Sequence, residues 1–174
     1  MRPGRRSALR LAAVGAAAAV AGAFAGAFFL QSRSGAARLL STSYQDLSGG
    51  QRRLIDWQGM VLMVNFWATW CAPCRDEMPM FVAARQKYRA SGVEFVGIGI
   101  DTAANIREFA KSYGISYPLL IADSGAIELM RSLGNRSGAL PYTVVLDRSG
   151  SLVNRHLGPL SRSELDRILQ SLLG

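Results

Sequence analysis

The sequence predicts an α/β domain with a mixed central sheet flanked by helices. Three observations point there: two unbroken apolar runs of strand length, a helix-length segment after each, and a closing hairpin followed by a capped helix.

Taken in order, Leu40–Leu47 and Arg52–Ile55 flank Gly49-Gly50, the pattern of an N-terminal hairpin with a tight turn. Met60–Trp67 (MVLMVNFW) is apolar almost throughout, as a strand covered on both faces must be. Ala72–Arg89 places Met78, Phe81, Val82 and Tyr88 at roughly helical spacing. Val93–Ile100 is a second buried strand, and Asn105–Tyr113 a helix stopped at Gly114. Tyr117–Ile121 and Ala126–Leu133 then add a short strand and a helix. Tyr142–Leu146 and Ser151–Leu157 pair across the turn Asp147-Arg148-Ser149-Gly150. Ser161-Arg162-Ser163-Glu164 is a capping box opening a last helix that reaches Leu173.

Ahead of this domain stands Leu11–Leu30, twenty residues without a charge. As a helix it would span about 30 Å, the thickness of a bilayer's hydrocarbon core. A cleavable signal has a shorter apolar region, about 7–15 residues. The length favours an uncleaved anchor, with Ser34-Gly35-Ala36 as the alternative cleavage site. Four arginines (Arg2, Arg5, Arg6, Arg10) precede the run and should stay cytoplasmic, placing the rest beyond the membrane. The expected division is a signal-anchor over 1–30, a polar tether over 31–38 and a folded domain over 39–174. The folded domain would then sit on the far side of the membrane from the cytoplasm.

A net charge of +8 invites a nucleic-acid reading, but its distribution opposes one. Without the four leading arginines, 16 basic residues face 12 acidic ones, spread along the chain with no basic cluster among aromatics. With 49% hydrophobic and 18% charged residues, the chain is also no candidate for disorder.

The chain has two cysteines, Cys71 and Cys74, in Trp70-Cys71-Ala72-Pro73-Cys74. They follow a buried strand and open a helix, with Pro73 in the first turn, where its missing N–H costs nothing. Unpaired N–H groups and partial positive charge at a helix start stabilise a thiolate. Cys71 is thus the expected nucleophile and Cys74 the resolving thiol. A structural zinc site would need four ligands, and the chain adds only His156. A purely structural disulfide closing so short a loop would constrain the unfolded chain little.

WCAPC after an apolar strand, with Pro79 five residues beyond Cys74, resembles the thioredoxin superfamily. The longer string VNFWATWCAPCRDEMP (Val64–Pro79) is similar to the membrane-anchored TlpA/ResA-type thiol–disulfide oxidoreductases of bacteria. The likeness extends over about Leu40–Gly174, with a second marker in Gly138–Asp147. It implies a thioredoxin-like fold with an N-terminal hairpin and a central insertion near Tyr117–Leu133. It also implies a cis bond before Pro141 beside the cysteines, where the Leu140 backbone can pair with an extended substrate. Trp70, Pro73, Leu140 and Pro141 are therefore the expected substrate-binding residues.

Glu77 lies three residues after Cys74, on the same helix face. Thioredoxins carry an aspartate six positions before the first cysteine, where this chain has Asn65, which cannot titrate. The subgroup places a glutamate where Glu77 stands, and a proton-shuttling role for Cys74 follows as an expectation. Trp67 and Trp70 are expected to pack under and over the active-site turn, Asn65 to be a hydrogen-bonded core amide, and His156 to be structural.

The expected function is protein thiol–disulfide exchange without a cofactor, most simply as a reductant. An exported reductant needs electrons delivered across the membrane, and the resemblance implies a DsbD/CcdA-type donor. It further implies protein disulfide substrates of the cytochrome c maturation or copper-site assembly type. The alternative is a copper carrier using both thiolates as soft Cu(I) ligands, but no methionine or histidine cluster adjoins the motif.

Overall fold

The computed structural model describes residues 22, 23, 26 and 35–174. The anchor expected over 1–30 lies almost entirely outside the described residues, among which no helix is long and apolar enough to cross a membrane.

Seven strands form one mixed sheet: β1 (Ser43–Asp46), β2 (Gln51–Arg53), β3 (Val61–Trp67), β4 (Val93–Gly99), β5 (Leu119–Ile121), β6 (Tyr142–Leu146) and β7 (Leu152–Leu157). Their spatial order is β2-β1-β5-β4-β3-β6-β7. β3 lies in the interior of the sheet, parallel to β4 and antiparallel to β6. Among the described residues of the domain, α-helices accompany the sheet: α1 (helical over 35–41), α2 (Ala72–Tyr88), α3 (Ala103–Ser112), α4 (Ala126–Ser132) and α5 (Arg162–Leu173).

Alternation along β3 splits the core in two. Val61, Met63 and Trp67 join Met78 and Phe81 of α2, Ile106 and Phe109 of α3 and Leu165 and Leu169 of α5 in one buried cluster. Leu62, Val64 and Phe66 join Leu39, Leu129, Met130 and Leu133 in the other. Every residue of β3 and β4 is buried, which is why both read as apolar runs rather than alternating ones. Gly97 and Gly99 of β4 admit close packing: a Cβ at Gly97 would lie 2.6 Å from Leu119 Cδ2 and 3.0 Å from Trp67 Nε1.

The mixed sheet, the N-terminal hairpin and the central insertion match the expected architecture, with local corrections. The N-terminal hairpin is shorter than the expected strands, and Leu40 belongs to α1. Residues 35–38, expected in the tether, are helical and packed, because Ala36 and Leu39 bury one face of α1 beside Met130 and Leu133. α3 starts at Ala103 rather than Asn105, since the Thr102 hydroxyl caps it by accepting from the Asn105 N–H. The Ser161–Glu164 capping box is present as read, with side chain and backbone bonded reciprocally.

Candidate active site

β3 ends at Trp67, in the middle of the sheet, and the chain turns through Ala68-Thr69-Trp70 into α2. Cys71 is the helix N-cap and Pro73 occupies its first turn. The Arg75 N–H donates to the Cys71 carbonyl at 3.2 Å, the first bond of the helix. This places both sulfurs at the positive end of the α2 dipole. They are joined in a disulfide, with an S–S length of 2.08 Å and a Cα–Cα distance of 5.3 Å. Cys71 retains 7% of its surface and Cys74 none. The turn is tied down from outside by a hydrogen bond from the Thr69 hydroxyl to Asp101. Burial works to raise the Asp101 carboxyl, but the Thr69, Asn105 and Thr102 donors outweigh it and hold the group below the ordinary carboxylate range.

The Leu140–Pro141 peptide is cis. A groove of about 450 Å³ runs between this segment and the cysteines, lined by Trp70, Cys71, Pro73, Leu140, Ile127 and Met130 among others. Trp70 lines the groove and is 68% exposed, whereas Trp67 is fully buried, its ring 5.1 Å from that of Phe109. The loop before Pro141 is held by the buried Asn135, whose amide donates to the Ala139 carbonyl at 2.8 Å and whose oxygen accepts from the Gly138 N–H at 3.0 Å.

One helical turn beyond Cys74, Glu77 is 4% exposed. Its Oε1 accepts from the Asn65 amide at 2.9 Å, and its Oε2 from the Leu160 backbone N–H at 3.1 Å. The same Asn65 amide nitrogen donates to the Thr143 hydroxyl at 3.0 Å. Burial pushes the Glu77 carboxyl up to about 7, against the lowering effect of the Leu160 and Asn65 donors. Tyr117 lies close enough for the Glu77 charge to add to the upward push that burial exerts on its phenol. A carboxyl poised near neutrality, one turn from a buried thiol, can both take and return a proton.

The fold thus brings Trp70, Cys71, Pro73 and Leu140 around one groove, with Pro141 next to it in the chain through the cis bond and the buried Cys74 and Glu77 further along α2. His156 stands apart on edge strand β7, its Nε2 3.2 Å from the Pro159 carbonyl. Thr143, Leu160 and Asn135 escape a reading of the sequence, because each acts through a partner distant in the chain or through its backbone.

Such an arrangement on this fold defines a class: the protein is a thiol–disulfide oxidoreductase of the thioredoxin superfamily, acting on protein disulfides. A family model described as Redoxin matches residues 36–169, and the chain belongs to that family. It is 33% identical to a thiol-disulfide oxidoreductase ResA of Bacillus cereus, over 73% of this chain and 72% of that protein. It is 31% identical to the thioredoxin-like protein YneN of Bacillus subtilis, over 73% and 74%. Among solved structures it resembles a thioredoxin-family thiol:disulfide interchange protein from Chlorobium tepidum TLS. That likeness has a TM-score of 0.66 and 33% identity, and covers 76% of this chain and 93% of that one. These relatives favour exchange chemistry over the copper-carrier alternative.

Proposed function

We propose that the protein is an extracytoplasmic reductant of protein disulfides, held to a bacterial cytoplasmic membrane by residues 1–30 and recharged by a DsbD/CcdA-type donor. In the reduced enzyme the Cys71 thiolate, stabilised at the head of α2, attacks a substrate disulfide seated in the groove. One substrate sulfur leaves as a thiolate and the other is bound to Cys71. Glu77 then takes the proton of Cys74, whose thiolate attacks Cys71 Sγ, forms the intramolecular disulfide and expels the second substrate sulfur as a thiolate. Two electrons pass to the substrate, and the donor returns them later.

The single observation carrying this mechanism is the pairing of a fully buried Cys74 with a buried Glu77 whose proton affinity is near neutrality. The uncharged Leu11–Leu30 run and the arginines before it support the anchor and its orientation. Cysteines of apocytochrome c or of a copper-site assembly protein are the substrates that the family resemblance suggests. Equilibration of the Cys71–Cys74 couple with glutathione tests the direction of electron flow. A potential well below about −230 mV is expected, and one near about −120 mV would make the protein an oxidant.

A further inference from the structure

Glu77 takes its two hydrogen bonds from opposite sides, yet both lead back to one place. Its Oε2 is held by the Leu160 N–H, in the connection between β7 and α5. Two residues earlier, the Gly158 N–H donates to the Pro141 carbonyl at 2.9 Å, extending the β6–β7 pairing to the groove-lining segment. Pro159 joins the two donors; its ring fixes φ and it carries no N–H of its own. The outer end of this link is fastened by His156 Nε2 at the Pro159 carbonyl, 3.2 Å away. On the other side, Oε1 is held by Asn65, which is itself bonded to Thr143, two residues beyond Pro141. Two short, hydrogen-bonded paths therefore connect Leu140–Pro141 with the carboxyl.

We propose that Gly158-Pro159-Leu160 is a positioning segment that couples seating of a substrate strand at Leu140–Pro141 to the hydrogen bonding of the Glu77 carboxyl. This rests on Glu77 serving Cys74 as described above. When a partner is seated, movement of Pro141 is carried through Gly158 to the Leu160 donor, and the proton affinity of Glu77 changes with the strength of that bond. The proton would then move from Cys74 when a mixed disulfide is present to be resolved. Leu160 is itself buried in the α2-side cluster, so its N–H cannot turn away freely. The titratable groups around the carboxyl are Cys74 on its own helix and the Tyr117 phenol. Asn65 and Thr143 on the strands and Leu160 in the loop present only neutral groups.

The test is a carbon-13 NMR titration of Glu77 in the full chain carrying Cys74→Ser, with Cys71 joined either to a cysteinyl peptide or to a methylthio cap too small to reach Leu140. The two adducts should titrate roughly one pH unit apart, the size expected when one hydrogen bond to a carboxylate is weakened or tightened. In Pro159→Gly, which keeps both N–H donors but frees the link between them, the difference should fall below half. Pro159→Ala is the second variant should the first not fold, and the exposed position of Pro159 favours both. Equal midpoints in the two unmutated-loop adducts, or a difference surviving in the loop variants, overturn the coupling. Insulin reduction by the unmodified protein is scored separately: its failure overturns the reductant reading, whereas its success with equal midpoints removes only the coupling.

Discussion

Replacing Glu77 by glutamine should remove a specific pH dependence of folding. The carboxyl titrates near 4.5 when exposed and at about 7 in the fold, where burial disfavours its charge. Between those values the folded state holds a proton that the unfolded chain has released, so stability is fully present below 4.5 and is lost as pH rises through 7. The interval corresponds to about 3 kcal/mol, with a slope of about 1.4 kcal/mol per pH unit. Glutamine also changes the hydrogen bonding: one oxygen still accepts, but its NH2 faces a donor from either Asn65 or Leu160. That mismatch costs about 1–3 kcal/mol where the native group is protonated. Urea unfolding of the oxidised proteins from pH 4 to 8 should therefore find Glu77→Gln less stable near pH 5, with the gap closing or reversing by pH 8. A difference between the two proteins that stays constant across that range would refute the reasoning.

Other substitutions probe separate parts of the molecule. Trp70→Ala should leave stability within about 0.5 kcal/mol, because the ring is 68% exposed, while slowing reduction of protein disulfides more than of a small aromatic disulfide. Arg85→Met should cost about 3–5 kcal/mol in denaturant unfolding, since it strands the buried Glu94 carboxylate and removes a donor to the Ser116 carbonyl; exchange activity should persist in the folded fraction. Gly97→Ala should lower the melting temperature through overpacking of about 1–3 kcal/mol, as the new methyl meets Leu119 and the Trp67 indole.

Much of the fold is legible because it rests on local signals. β3 and β4 declare themselves as unbroken apolar runs, and β6 is bounded by the cis-proline segment and the Asp147–Gly150 turn. The capping box of α5 is written in four consecutive residues. The helical segment 35–41 is not legible: it packs because Ala36 and Leu39 find Met130 and Leu133, contacts made far downstream in the chain. The cysteines are equally plain, since their spacing and place after a strand are sequence properties. The environment of Glu77 is not, because Asn65 is 12 residues before it and Leu160 is 83 residues after it, donating through its backbone. Side-chain identity carries no trace of such a backbone donor.

The unequal exposure of the two sulfurs has a kinetic consequence. Only Cys71 can be met by another molecule, so every covalent encounter begins on the same atom. Cys74, sealed under the turn, acts as an internal timer: no outside thiol can reach it to reset the interval. Release of a captured partner would then be set jointly by Cys74 and by the thiol that has to leave.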